Sequence, residues 1–336
     1  MDSATIQLDQ GSGGLATHEL VKNLFIDAFM NEFLLEMNDS ALVSVQGGKI
    51  AMTTDSYVVD PIIFPGGDIG SLAVHGTVND LCMRGARPLY LTAGFILEEG
   101  LPAGVLRRIV RSMADAARQA SVLIVAGDTK VVPRGKADKI FINTSGVGIV
   151  PPGVNIGGQN GRPGDVVLIN GTIGDHGMAV LCKREGLAFE SEIISDSAPL
   201  NGLVDKMLAA GGSIHVLRDP TRGGVATTLN EIAQQSEVGV VLDETALPIR
   251  QDVAGACELL GLDPLYVANE GKLLACVGPE SADAVLEAMR AHPLGKEARR
   301  IGELVSTEPG RVLMRTRIGG HRLVDMLRGE QLPRIC

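Results

Sequence analysis

Apolar positions recur along the chain in two rhythms. Val21, Leu24, Phe25, Ala28 and Phe29 fall at helical spacing, and so do Leu106, Ile109, Val110, Met113, Ala116 and Ala117 after Pro102. Each set lays one apolar stripe along a helix. Ile69–Met83 reads as a further helix, carrying Asn79 and Asp80. Short apolar runs read as strands: Ile50–Asp55, Pro88–Leu97, Val122–Ala126 and Lys139–Val150. Gly127-Asp128-Thr129-Lys130 falls in the segment joining the last two.

Pro151–Gly164 holds prolines at both ends and glycines between, and it reads as a linker. The alternation then restarts. Strands are expected at Val166–Asn170, Ile214–Leu217, Leu265–Ala268, Leu273–Val277 and near Arg311–Met314. Helices are expected from about His176, through Leu200–Leu208, at Gly223–Gln235, at Val253–Leu260 and at Ala282–Ala291. Strands and helices alternate in both halves, which predicts a layered α/β or α+β chain. The divisions are 1–40 for a glycine loop and first helix, 41–150 for an N-terminal domain, 151–164 for the linker and 165–316 for a C-terminal domain. Residues 317–336 read as a flexible tail, because Leu332-Pro333-Arg334-Ile335-Cys336 has no periodicity.

Composition narrows the class. With 336 residues the chain exceeds the ~100–200 residues of one ordinary domain. Hydrophobic residues make up 45% but aromatics only 3%, so the core is built from Val, Ile, Leu and Ala. A net charge of −10 argues against nucleic acid or anionic lipid as partner and leaves carboxylates for a divalent cation. The opening residues show neither a basic region nor a long apolar run, and no stretch reaches the about 18 apolar residues of a membrane helix. Five widely spaced cysteines without a CxxC fit a reducing cytoplasm. Four of them sit in apolar runs as small hydrophobes. Cys336, at the chain end, does not.

Chemistry concentrates at turns. Asp55, Asp80, Asp128 and Asp219 stand beside Thr, Asn or Gly at strand ends and helix edges, where caps are the simple explanation and a shared Mg²⁺ the sharper one. Asp219-Pro220-Thr221-Arg222-Gly223-Gly224 leads into a helix whose first N–H groups suit an anion. Neither GxGxxG nor a P-loop is present. Asn269-Glu270-Gly271-Lys272 reads as a hairpin turn or as a carboxylate base at a strand end. Lys130 suits phosphate or a polarised carbonyl, and His176 a base or phosphate donor. A thiol on a mobile end can travel to another active site, which makes Cys336 a candidate carrier.

Taken together, several segments resemble one family. They are Gly11-Ser12-Gly13-Gly14, Thr54-Asp55-Ser56-Tyr57-Val58-Val59-Asp60-Pro61, Pro65-Gly66-Gly67-Asp68-Ile69-Gly70, Gly127-Asp128-Thr129-Lys130, Arg218-Asp219-Pro220-Thr221-Arg222-Gly223-Gly224, Asn269-Glu270-Gly271-Lys272 and Pro333-Arg334-Ile335-Cys336. The chain is similar to the HypE hydrogenase maturation factors, carbamoyl dehydratases of the aminoimidazole ribonucleotide synthetase and selenophosphate synthetase superfamily. That resemblance implies a two-domain fold whose N-terminal sheets pair across a homodimer. It implies ATP between the domains, with Mg²⁺ on Asp55, Asp80, Asp128 and Asp219. Gly11, Gly13 and Gly14 would close over the nucleotide, and Asp68, Thr129, Thr221, Arg222, Gly223 and Gly224 would help to bind it. It implies loading of Cys336 by the carbamoyltransferase HypF and delivery to a HypC–HypD complex. Glu270, Lys130 and His176 stay open as the base. Two rivals remain: a kinase of the same superfamily acting on a free small molecule, and a scaffold without catalysis.

Overall fold

The computed structural model describes residues 14–20, 22–23, 35–45, 48–187, 192–329, 331–332 and 334–336. Gly11, Gly13 and most of the helix expected over Val21–Phe29 lie outside them. The described part of the first segment includes the short helix α1 (Leu15–Leu20).

The N-terminal domain is a five-stranded sheet in the order β1 (Ala41–Val45), β2 (Gly48–Tyr57), β7 (Ile140–Val150), β5 (Arg87–Glu98), β6 (Leu123–Val132). Only β5 and β6 run parallel. A small ribbon, β3 (Ile63–Phe64) with β4 (Gly67–Asp68), leads into α2 (Ile69–Cys82). Asp68 caps that helix: its carboxylate accepts from Gly70 N at 2.9 Å and Ser71 N at 3.2 Å. Helix α2 is apolar nearly all round and almost wholly buried. Its neighbour α3 (Ala103–Gln119) buries only the Ile109, Met113, Ala116 and Ala117 stripe. Both helices cover the same face of the sheet. Along β7 the even residues Ile140, Ile142 and Thr144 are buried toward them, while Asn143 and Ile149 face away.

Expectation and structure part company at β6. The strand does not stop at Ala126; it continues through Gly127–Lys130 to Val132, paired in parallel with β5. Nine of its ten residues are exposed, including Leu123, Val125 and Val131 at 57–67%.

The C-terminal domain holds a seven-stranded sheet. Its order is β14 (His321–Leu323), β13 (Val312–Arg315), β10 (Gly239–Asp243), β12 (Arg299–Val305), β8 (Val166–Ile169), β11 (Leu274–Val277), β9 (Ile214–Arg218). All pairs are antiparallel except β10 with β13, so the fold is α+β. Central strands β8 and β11 are buried at every residue. Alternation divides their side chains between two cores. Val166, Leu168, Ala275 and Val277 face one that includes α5 (Asn201–Ala209) and reaches the N-terminal domain. Val167, Ile169, Leu274 and Cys276 face another, filled by α6 (Gly224–Gln235). A smaller core lies between α4 (Asp175–Glu185) and α7 (Gln251–Leu260), and α8 (Ala282–Arg290) packs beside α5.

Two local expectations change. Leu265–Ala268 is not a strand; Asp263 caps a 3₁₀ turn over Pro264–Tyr266, so Asn269–Lys272 is an entry to β11 and not a hairpin. Strands β10 and β12 complete the sheet although neither was expected. Beyond residue 316, β14 also pairs with the sheet, and Val324 is buried.

Candidate active site

The chain end is docked between the domains. Val58 N donates to the Cys336 carbonyl oxygen at 3.0 Å, and Asp60 N to Arg334 O at 3.2 Å. Ile335 is 3% exposed and belongs to the main core. The stretch 334–336 thus adds to the extended chain just beyond β2, as a peptide strand adds to a sheet edge.

Around this end lie carboxylates from four places. Asp55 is on the helix-facing side of β2, half-buried. Asp80, near the end of α2, accepts from Thr53 Oγ1 at 2.7 Å. Asp219 directly follows β9, and Glu270 precedes β11; both are buried. Burial lifts Asp80 well above the usual carboxylate range, and the charges of Asp219, Asp55 and Asp39 lift it further. Burial and the nearby Asp39 and Asp55 push Asp219 up to about 8, against the pull of Arg218. Glu270 is raised well above its ordinary value by burial, then by Asp219, Asp55 and Asp196. Burial pushes the Cys336 thiol up to about 12, Arg222 pulls it down, and Glu270, Asp55 and Asp219 push it up again. Arg222 in turn is held above its ordinary range first by Cys336. These couplings define one electrostatic site: an arginine and a thiol facing crowded acids.

Sequence reasoning missed what braces the site. Arg218 binds Asp39 at 2.6 Å and Glu231 at 2.5 Å, anchoring the turn that carries Asp219. Asp196 accepts from Glu270 N and Gly271 N at 3.1 Å each and from Lys272 Nζ at 2.9 Å. Burial works to raise Asp196, but Lys272, His176 and these hydrogen bonds outweigh it and hold it low. Asn79 joins the domains: its amide donates to Ala198 O and Glu270 O at 3.1 Å, and its Oδ1 accepts from Leu200 N. Asp196 sits in a stretch without periodicity or motif, so only the fold reveals it. Arg218 stood inside a quoted motif, next to the residue it supports.

The glycines do two jobs. Gly224 has φ +62°, and a Cβ there would meet Leu265 O at 2.5 Å; only glycine lets α6 begin this close to the 3₁₀ turn. Thr221 N bonds Asp219 O at 3.0 Å and Gly224 N bonds Thr221 O, a tight turn before the helix start. Gly14, at φ +80°, lies against Leu327, whose carbonyl accepts from Leu15 N at 3.0 Å.

Other expected residues stand elsewhere. Asp68 is spent on the cap of α2. Asp128 and Lys130 pair at 3.1 Å on the exposed strand β6, each side chain about 72% exposed. Register explains their isolation. Asp128 lies level with Gly94, Asn143 and Ser56, on the helix-free face, whereas Asp55 points to the helices. Three strand spacings of about 4.8 Å also separate the two rows. Thr129 lies between them on β6. His176 is fully buried and edge-on to Phe64, with ring centroids 5.4 Å apart. Its Nε2 meets Ile335 O at 2.7 Å and its Nδ1 meets Ser195 Oγ at 2.8 Å. A carbonyl only accepts, so Nε2 carries the proton and Nδ1 accepts from the serine. That leaves no lone pair for abstracting a proton while the tail is docked.

No three His, Cys, Asp or Glu side chains among the described residues converge into a ready metal site. The donor chemistry nevertheless fits Mg²⁺, which keeps waters and is usually shared between carboxylates and phosphate. Buried carboxylates that raise one another's pKa are groups whose charge a cation would balance.

Two domains sharing a site of this kind define a class. The profile of the AIR synthase related protein N-terminal domain matches residues 37–150, and that of its C-terminal domain matches 162–315. Relatives narrow it. The chain is 59% identical to the carbamoyl dehydratase HypE of Cupriavidus necator over 335 residues, covering 99% of this chain and 95% of that protein. It is 48% identical to the Escherichia coli carbamoyl dehydratase HypE over 336 residues, covering 98% and 99%. A crystal structure of HypE in complex with ATP superposes with a TM-score of 0.84 at 55% identity, covering 99% of this chain and all of that one. One of a HypE–HypF complex gives 0.88 at 52% identity, covering 92% and 99%. The chain belongs to the HypE family of carbamoyl dehydratases, proteins of hydrogenase maturation.

Proposed function

We propose that this enzyme uses ATP to dehydrate a carboxamide carried on the sulfur of Cys336, leaving a thiocyanate. The docking of Cys336 among Arg222, Asp55, Asp219 and Glu270 carries the reading. Amide oxygen is a poor leaving group. Transfer of the ATP γ-phosphoryl group to it makes phosphate, a good one. Loss of the two N–H protons and of phosphate leaves S–C≡N, with ADP as the other product. Asp55, Asp80 and Asp219 would hold Mg²⁺, which supplies charge balance for the phosphates. The tight turn through Gly223 and Gly224 would bring phosphate to the start of α6, where the first N–H groups of a helix suit an anion. Glu270 is our base: a buried carboxylate held above its ordinary range is suited to taking a proton near neutral pH. Arg222 steadies the charge that develops beside the thioester-like carbon.

Asp128 and Lys130 enter from a second copy. The helix-free face exposes Met52, Tyr90, Ile96 and Ile149 at 45–50% beside β6, too much apolar surface for a sheet left bare. A homodimer that pairs these sheets covers it and brings β6 to the partner's site. HypF, as the carbamoyl donor, and a HypC–HypD complex, as the acceptor of the cyano group for the active-site iron, complete the route. No described helix is long and apolar enough to cross a membrane, and the proposed compartment is the cytoplasm.

Mass spectrometry of the C-terminal peptide tests the chemistry. After incubation with carbamoyl phosphate, HypF, ATP and Mg²⁺, a carbamoyl adduct on Cys336 is expected to lose one water, and only with ATP. A Cys336 that stays unmodified removes the proposal. Full ATP turnover on a free small molecule after removal of the tail would favour the superfamily kinase instead.

A further inference from the structure

The docked chain end is held largely through its backbone, by the extended chain after β2 on one side and by helix α4 on the other. Arg184, in the last turn of α4, donates from Nε to Asp60 O at 2.7 Å and from Nη2 to Arg334 O at 2.8 Å. A single guanidinium thereby joins the extended chain after β2 to the tail. His176, at the start of the same helix, donates to the next carbonyl, Ile335 O, and Ser195 fixes its tautomer. Arg334 closes the other side, donating to Val58 O at 2.8 Å and pairing with Asp138. None of these groups belongs to the acid cluster, and the bonds that Arg184, His176 and Arg334 donate here go to main-chain oxygens or to Asp138.

We propose that Arg184 and His176 are positioning residues, a latch that reads the main-chain carbonyls of Arg334 and Ile335 and sets the fraction of chains whose Cys336 sulfur lies inside the site. The proposal rests on the reading of Cys336 as the carrier. Because the latch grips carbonyls and not the thiol, it holds a free and a carbamoylated tail alike. Charge-assisted bonds are the stronger kind, so Arg184 is expected to dominate.

Alkylation of the full-length protein by iodoacetamide tests the latch without catalysis. The rate is read at Cys336 and, as an internal reference, at buried Cys82. Arg184→Ala is expected to raise labelling of Cys336 about tenfold or more over wild type while Cys82 stays slow. Arg184→Lys, which keeps the charge but not the fork, should fall between, and Ser195→Ala should show a smaller rise. Equal Cys336 rates in wild type and Arg184→Ala overturn the latch. So does a parallel rise at Cys82, which marks general loosening. Water loss from carbamoylated wild-type Cys336 is scored beside it. Failure there overturns the dehydratase reading and leaves the latch standing.

Discussion

The two sheets of this chain are finished to different degrees. In the C-terminal domain both faces are covered, and central strands β8 and β11 expose nothing. In the N-terminal domain helices cover one face only, and edge strand β6 is bare along nearly its whole length. The candidate site residues divide by the face of the open sheet: Asp55 lies on its helix-covered side, Asp128 and Lys130 on its bare side. Asp55, Asp80, Asp219, Glu270 and Cys336 are gathered by elements packed within one chain. Asp128 and Lys130 stand on the bare face of the N-terminal sheet, facing away from the others. One face of the N-terminal sheet is packed and gathers carboxylates; the other is open and carries Asp128 and Lys130, which under the proposed function would serve a second chain.

The largest test breaks the open sheet. Val125→Glu with Val131→Glu places charge on the exposed edge of β6. The expected result is a species of one chain's mass, 35.2 kDa, by light scattering, with dehydration slowed about 100-fold or more because proton transfer and charge balance are lost. An intact dimer with full activity would undo the comparison.

Mixing sharpens it. Lys130→Ala and Glu270→Gln should each slow the reaction on the order of 100-fold. If β6 serves the partner's site, a mixed dimer holds one site with both residues intact. Unfolding and refolding the two variants together should then restore roughly a quarter of wild-type activity, as half the dimers are mixed and each has one whole site. No recovery would assign both residues to the same chain.

The smallest effect probes the closed side. His75 on α2 bonds Ser197 Oγ at 2.9 Å across the domain boundary, while its Nε2 is buried without a hydrogen-bond partner. Burial depresses its pKa from 6.5 to about 4. The unfolded chain takes up that proton first as pH falls, so stability is present at neutral pH and is lost below about 6.5 until the folded pKa is reached. Urea unfolding should show about 2 kcal/mol less stability at pH 5 than at pH 7 from this group. His75→Gln should flatten that part of the profile; an unchanged slope would show that His75 is not responsible.

The amphipathic stripe of Leu106–Ala117, the glycine turn before α6 and the strands at Pro88–Leu97 and Lys139–Val150 were legible because each is encoded locally, by period or by turn chemistry. Strands β10 and β12 escaped because Gly239–Asp243 and Arg299–Val305 are short and acquire their roles from neighbours distant in sequence. β6 was cut short at Gly127 because glycine and aspartate disfavour strands, yet pairing with β5 overrides that preference. The acids were all visible as acids. Register alone decided that Asp55 and Asp128 face opposite sides, and packing alone decided that Asp68 caps a helix.

The sequence by itself determined the residue types of the site, the alternation of strands and helices, and the placing of a lone thiol at the chain end, since these depend on neighbours a few residues away. Tertiary structure decided which carboxylates share a field, that His176 gives its lone pair to a serine, and that the tail lies docked and held by Arg184. Those outcomes depend on distance and burial between segments far apart in the chain, and no local pattern carries them.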